Sequence, residues 1–304
     1  MLREVFYWVF NMSIAAAITG VPVLLLRTAK KLPGRFRVFL WAIPFLRMVL
    51  PLGLNSPYSL MSLLSKITAR TVVVYQPAEE LSFSIMNFAM AANAYFPITY
   101  KAAILENIFH VASVIWCIAA VAILLLLARI YGATVHALKD ATPLRDNIYL
   151  SDKIDSPGVY GILKPRILLP ASYKDRELRL VLLHEQAHIR SLDNLWRVIG
   201  FVIAALHWFN PLGWLFLKSF LADLELACDE RVLAGLGAHR AKEYALALLE
   251  TKSSPAVFVS PFGGAKLRTR IENILSFRKL TWLSLAVFAL LIAVISYVLL
   301  TNPG

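Results

Sequence analysis

Four apolar runs set the terms for any fold this chain can adopt. They lie at about 5–26, 36–54, 108–131 and 280–300, and each is long enough to cross a bilayer as a helix. The chain is 59% hydrophobic with a mean hydropathy of +0.65, well above the composition of a soluble domain. The first run lacks a cleavable-signal flank and is too long for a signal-peptide core, so it reads as a retained span. The expected fold class is a mainly α membrane protein with four transmembrane helices.

The loops orient these spans. Arg27, Lys30, Lys31 and Arg35 lie between the first two runs and Arg37 at the start of the second, with no acidic residue among them. The positive-inside rule makes that loop cytoplasmic and puts the N-terminus outside. Three spans and an outward loop, 55–107, make up residues 1–131; the loop's charges balance, with Lys66, Arg70 and Lys101 against Glu79, Glu80 and Glu106. Residues 132–279 form the only sizeable polar region, on the cytoplasmic side. Residues 280–304 are the fourth span and a short outward tail. The net charge of +12 sits largely in loops flanking the spans, where topology and anionic lipid account for it; no nucleic-acid motif accompanies it. Cys117 and Cys228 are not expected to pair in a cytoplasm-facing protein.

The polar region carries the run His184-Glu185-Gln186-Ala187-His188 inside the apolar-periodic stretch LRLVLLHEQAHIR. Residues four apart share a helix face, so both imidazoles can converge on one metal ion. Glu185 then lies beside the metal, placed to take a proton from a bound water. A catalytic zinc needs a third protein ligand. Downstream, Glu225 and Asp229 are four apart in the helical run DLELACDE. His-Glu-x-x-His followed by Glu-x-x-x-Asp is the arrangement of a gluzincin peptidase. It would make Glu225 the third ligand and Asp229 the acceptor for the far nitrogen of a ligand histidine, His184 for preference. The other reading of Asp223, Glu225, Asp229 and Glu230 is a solvated acidic face. The cytoplasmic region is thus expected to be a gluzincin-like α+β zinc protease domain with one Zn2+ per chain.

A fifth apolar stretch, 198–217, is also long enough to span. A single crossing would put Glu225 on the opposite side from His184 and His188, so a re-entrant or interfacial hairpin broken at Asn210-Pro211 is expected. Its arms are unequal, which calls for a tilt or a further break, for instance at Gly200. Short strands are expected at 148–150, 158–163 and 166–169, serving either as a docking edge for an extended substrate or as packing for the helices. A helix is expected at 241–250 and a loop at 253–264. Arg47, inside the second run, is a functional candidate by default, with snorkelling or a structural pair as the alternative. Among the further polar residues His207, Tyr244 and His239, either of the last two is a candidate oxyanion stabiliser.

The ordered motifs HEQAHIRSLDNLW, HWFNPLGWLF and DLELACDERVL, preceded by SPGVYGILKPRILLP and WAIPFLRMVLP, resemble the BlaR/MecR family of bacterial membrane zinc metallopeptidases over nearly the whole chain. The resemblance implies zinc on His184, His188 and Glu225, and Glu185 as general base. It also implies a multi-pass protein of the bacterial plasma membrane that transmits an outside event to a cytoplasmic protease acting as an antirepressor. Such a protease cuts itself and, directly or indirectly, inactivates a transcriptional repressor. Ser276-Phe277, within NILSFRKLTW, resembles the place where family members undergo autoproteolysis. The β-lactam sensors of the family carry a penicillin-binding domain after the last span, whereas this sequence stops four residues after it. The outward loop has Leu63 where an acylatable serine would precede Lys66 by three, and no Lys-Thr-Gly follows. A signal is therefore expected through a separate sensor partner or the membrane itself. Expected partners are membrane lipid, a protein substrate with a cytoplasmic repressor as candidate, that sensor, and a second copy of the chain as a homodimer, with no direct nucleic acid. The competing classes are a quality-control protease of the HtpX or CAAX-processing kind and a non-proteolytic membrane signalling scaffold.

Overall fold

The computed structural model describes residues 1–29, 32–50, 54–60, 62, 103–137, 139–173, 178–250 and 266–303. Most of the outward loop, with its Ser65-Lys66 pair, and the loop at 253–264 lie outside the described residues. Helix α1 runs Leu2–Leu26, and a hinged pair follows: α2, Gly34–Leu40, and α3, Ala42–Val49. A short strand β1, Asn55–Ser56, precedes the long helix α4, Ala103–Ala137. Then come β2 (Thr142–Arg145), β3 (Ile148–Ser151), β4 (Gly158–Tyr160) and β5 (Arg166–Pro170). Helices α5 (Arg179–Arg190), α6 (Asp193–Leu206), α7 (Pro211–Leu236), α8 (Ala241–Glu250), α9 (Leu267–Leu275) and α10 (Trp282–Leu300) complete the chain with strand β6, Asn302–Pro303.

Among the described residues three helices are long and apolar enough to cross a membrane: Leu2–Leu26, Ile108–His136 and Trp282–Leu300. The run at 36–54 does not form the single helix expected of it. Pro44 has no N–H to give the Leu40 carbonyl and its ring crowds that oxygen, so the ladder breaks at Trp41, whose N–H reaches back to Val38 instead. From Gly34 to Val49 the pair extends roughly 24 Å at ~1.5 Å per residue, short of a ~30 Å hydrocarbon core. Its apolar side chains Phe36, Leu40, Trp41, Ile43 and Met48 are instead the centre of the main core, packed with α1, α6 and α7.

Helix α10 packs one face, Leu285, Phe288, Ile292 and Ile295, on that core and exposes Trp282, Leu283, Val287, Leu290 and Val294 on the other. Its C-terminal carbonyls have no partner within the helix, and Arg47 supplies one. The buried guanidinium donates to Leu299 O (3.2 Å), Thr301 O (2.7 Å) and Asn302 Oδ1 (2.7 Å). Ser59 Oγ adds a bond to Thr301 O (2.6 Å), and β1 pairs with β6 in parallel. Arg47 is thus a structural clamp on the end of the last helix, the second of the two roles its sequence position allows.

Strands β2 to β5 form one sheet in the order β2-β3-β5-β4, with β3 and β5 parallel and the outer pairs antiparallel. Helix α5 lies on this sheet through Leu182 and Ile189, which meet Ile148, Val159, Ile167 and Leu169. Its opposite side, Leu180, Leu183 and Ala187, meets Val232, Leu233, Tyr244 and Ile274 from α7, α8 and α9. The motif helix is therefore clamped between a sheet and a helical layer.

Helices α6 and α7 form a hairpin that turns at His207–Asn210. Asn210 Oδ1 caps α7 by accepting from Leu212 N–H (3.0 Å), Pro211 takes the first helical position, and Asn210 Nδ2 ties the tip to Ser13 of α1. No break occurs at Gly200. There the missing side chain lets Leu217 close in, because a Cβ would lie 2.9 Å from its Cδ1. The long arm is broken earlier, at Ser191-Leu192 between α5 and α6, where Leu192 takes a left-handed φ of 54°.

Replacing Arg47 by Met should leave three acceptors in the clamp without their charged donor. Each such bond is worth about 1.5–3 kcal/mol. The detergent-solubilised variant is expected to unfold at clearly lower temperature than wild type while keeping its metal content, which a thermal melt with parallel metal analysis measures.

Candidate metal centre

Helices α6, α7, α8 and α9 all bring side chains to the buried face of α5. His184, Glu185 and His188 are all buried there. The two Nε2 atoms lie 3.1 Å apart, and Glu225, projecting from α7, places Oε2 3.8 Å from His184 Nε2 and Oε1 3.8 Å from His188 Nε2. Ligands held at ~2.0–2.1 Å in a tetrahedron around zinc are separated by about 3.3 Å, so these three side chains can share one ion.

The far sides of both rings fix which nitrogen carries the proton. Tyr244 OH donates to Asp229 Oδ1 (2.7 Å), so its oxygen accepts from His184 Nδ1–H (2.8 Å). His188 Nδ1–H donates to Asp193 Oδ2 (2.7 Å). Both Nε2 atoms therefore present lone pairs to each other and to the Glu225 carboxylate. Such converging lone pairs call for a positive partner: Arg270 Nη2, 3.3 Å from His184 Nε2, is one, and a metal ion between the three groups would be another.

Cys228 is the rival third ligand, since its sulfur also falls within 4.8 Å of atoms of both histidines. It sits on the wrong side of the ring. Its Sγ is 3.5 Å from His184 Nδ1 and donates to His184 O at 3.4 Å, away from the shared face. Burial also raises the thiol pKa well above its usual range. The geometry favours Glu225.

Glu225 is held from both sides, by Arg197 Nη2 on Oε1 (2.6 Å) and Arg270 Nη1 on Oε2 (3.4 Å). Burial works to raise its carboxyl, but His188, His184, Arg270 and Arg197 override it and keep the group well below the usual glutamate range. Glu185 goes the other way. Burial raises its carboxyl, and the Glu225 charge adds to that against the opposing pull of His184. Two carboxylates in one site thus have opposite tendencies, one fixed as an anion and one suited to exchange a proton. Tyr160 on β4 also belongs here: burial and then the Glu185 charge push its phenol up to about 12.

Several expectations from sequence need correction. Asp229 reaches His184 Nδ1 directly only at 3.4 Å, and the closer path runs through Tyr244. Tyr244 is therefore behind the ring, orienting it, and does not face the shared Nε2 side where an oxyanion would form. His239 is exposed on the turn at Ala238–Arg240, and none of the contacts described at the centre involves it. The acidic face is not solvated: Asp223, Asp229 and Glu230 are buried. On the edge strand β4 the Val159 carbonyl, and just past it the Gly161 carbonyl, accept from Asn194 Nδ2 (3.0 and 3.2 Å), which ties this edge to α6. Ser276 is exposed at the end of α9, and Phe277 begins the irregular stretch before α10, half-buried against the α7–α8 cluster.

Asp193, Arg197 and Arg270 were not singled out from the sequence as parts of the site. Asp193 had one local signal, an acid five residues past the second histidine, and the αL turn at Leu192 is what swings it back onto His188. Arg197 lies four residues further along the same helix. Arg270 had none, being one of five basic residues before the last apolar run.

Residues 7–276 match the family described as BlaR1 peptidase M56, and the chain belongs to that family. It is a family of membrane-anchored metallopeptidases, a class to which the metal-binding geometry and the three apolar helices conform. The methicillin resistance protein mecR1 of Staphylococcus aureus is 32% identical over 107 residues, covering 34% of this chain and 18% of that protein. The regulatory protein BlaR1 of Bacillus licheniformis is 27% identical over 155 residues, covering 47% of this chain and 26% of that protein. BlaR1 of Staphylococcus aureus is 28% identical over 135 residues, 41% of this chain and 23% of that one. The chain thus spans about a quarter or less of the length of the curated relatives it matches.

Substituting Asp193 by Asn would offer an amide N–H to His188 Nδ1, favouring the tautomer with its proton on Nε2. Metal affinity is expected to fall by ~10–100-fold, as it does when the hydrogen-bond partner of a ligand histidine is lost. Competition with a chromophoric chelator measures it; wild-type affinity would remove Asp193 from this role.

Proposed function

We propose that this protein is an integral-membrane zinc endopeptidase that transmits a signal by cleaving itself, a cytoplasmic regulator, or both. The convergence of His184 Nε2, His188 Nε2 and a Glu225 oxygen, with both Nδ1 atoms tied off, is the observation that carries it. Zinc bound there would keep one position for water, lower its pKa and polarise a peptide carbonyl. Glu185, adjacent in α5 and with its carboxyl raised by burial, would take a proton from that water and hand it to the leaving amine nitrogen. His184, His188 and Glu225 hold their atoms in place throughout, steadied by Tyr244, Asp193, Arg197 and Arg270.

The contacts of α7 support a cytoplasmic location. Asp223 is paired with Arg27, and Glu230 accepts from the backbone of Gly34 and Arg35, all in the basic loop after the first apolar helix. The site therefore shares a side with that loop, which the positive-inside rule assigns to the cytoplasm. The relatives' names, a regulatory protein and a methicillin resistance protein, support a signalling role over general protein turnover. The substrate class would be a protein segment at the inner membrane face, with a transcriptional repressor as the candidate and a separate sensor as the source of the signal.

Purified protein is expected to hold one zinc per chain. His184→Ala, His188→Ala and Glu225→Ala should each lose it, whereas Glu185→Gln should keep the metal and lose peptidase activity. Stoichiometric zinc in Glu225→Ala would displace that residue from the ligand set, and full activity in Glu185→Gln would leave the reaction without its base.

Self-cleavage is expected between Ser276 and Phe277, in the irregular stretch joining α9 to α10. Cells expressing the wild type should accumulate a fragment ending near Ser276, identified by mass spectrometry, and cells expressing Glu185→Gln should not. Equal amounts in both would assign the cut to another protease.

A further inference from the structure

Helix α9 is the last helix before the final apolar one, and it sends one side chain to the candidate metal centre. Arg270 Nε and Nη2 grip Asp229 Oδ2 and Oδ1 at 2.8 and 2.7 Å, a two-pronged pairing that fixes the plane of the carboxylate. The same Asp229 oxygen that takes Nη2 accepts from Tyr244 OH, which in turn holds His184 Nδ1. Arg270 Nη1 stands 3.4 Å from Glu225 Oε2, and Nη2 stands 3.3 Å from His184 Nε2. One guanidinium thus borders two of the three ligand groups and anchors the chain that orients one of them. Asp229 is fully buried, so without Arg270 it would keep the Tyr244 hydroxyl but lose its charged partner.

We propose that Arg270 is a positioning residue of the metal centre, and that docking of α9 through it assembles the ligand set in its metal-binding geometry. The proposal rests on the reading of His184, His188 and Glu225 as metal ligands. It gives the segment leading into the last helix a function beyond anchorage: α9 supplies a part of the site that α5 and α7 lack. Arg268, on the same helix, is exposed and among the described residues pairs with Glu272 four residues on, so it provides an internal control.

The test uses the full-length detergent-solubilised protein loaded with cobalt(II), whose visible absorption reports coordination geometry. Metal affinity is read alongside by chelator competition and folding by thermal melt. Arg270→Gln is expected to bind metal ~10–100-fold more weakly and to shift the cobalt spectrum, with Arg270→Lys intermediate and Arg268→Gln like wild type. In an Asp229→Asn background, Arg270→Gln should add little, because both act on the same path to His184. His184→Ala serves as the loss-of-site standard. If Arg270→Gln keeps wild-type affinity and spectrum while His184→Ala loses both, the ligand reading stands and the role of Arg270 is refuted. Tighter binding in Arg270→Gln would also overturn it, by showing that the guanidinium competes with the metal for His184 Nε2. A wild type that binds no cobalt would overturn the proposal together with the ligand reading. A loss equal in Arg268→Gln would trace the effect to α9 as a whole and refute an assignment to Arg270.

Discussion

Helix α7 carries four acids within eight residues, Asp223, Glu225, Asp229 and Glu230, and the fold takes all four out of bulk water. An unpaired buried carboxylate costs several kcal/mol, so each must find a partner, and the partners define how the chain is arranged. Asp223 draws Arg27 from the end of α1 and the indole N–H of Trp41 from the α2–α3 hinge. Glu230 caps the start of α2 through Gly34 N–H (2.8 Å), a contact possible only at glycine, since a Cβ there would lie 2.9 Å from Ala227 N. Glu225 draws Arg197 and Arg270, and Asp229 draws Arg270 and Tyr244. Helices α1, α2, α6, α8 and α9 are thus fastened to the helix that carries Glu225.

This pairing shows what the sequence discloses and what it withholds. Spacing within one helix is legible, because the periodicity of 3.6 residues fixes which side chains share a face. His184 with His188, and Glu225 with Asp229, follow from that rule alone, and the turn at Asn210-Pro211 follows from proline's missing N–H. Pairing between elements is not legible. Arg270 looks like any other residue of a basic flank, and Arg27 like a topology signal, until the fold sets them against Asp229 and Asp223. The hydropathy of 36–54 does not reveal that Pro44 breaks the helix and that its side chains serve a core. The break at Leu192 escaped for a related reason: a leucine at φ 54° has no sequence mark, whereas Gly200, the conspicuous candidate, is there to admit Leu217.

The segment 266–303 is fastened in a distinct way. A helix in hydrocarbon gains no hydrophobic energy by leaving lipid for another helix, so association there depends on close packing and polar contacts. Helix α10 leaves most of its surface exposed and packs a single apolar face, while polar clamps hold the two ends of the segment: Arg47 at the carbonyls of Leu299 and Thr301, and Arg270 of α9 at Asp229. The proposed cleavage bond, Ser276-Phe277, falls between these clamps. Breaking it would leave Arg270 in the same fragment as Asp229 and Glu225, whereas Arg47 and its acceptors on Leu299, Thr301 and Asn302 would fall in different fragments joined only by those hydrogen bonds. A cut on the other side of Arg270, by contrast, would free that arginine to leave with the last helix and would expose Asp229 and Glu225 to the cost of losing it. The placement of Arg270 therefore means that a cut at 276–277 would leave Asp229 and Glu225 with their charged partner, while the Arg47 clamp would hold the last helix to the rest of the chain without a covalent link.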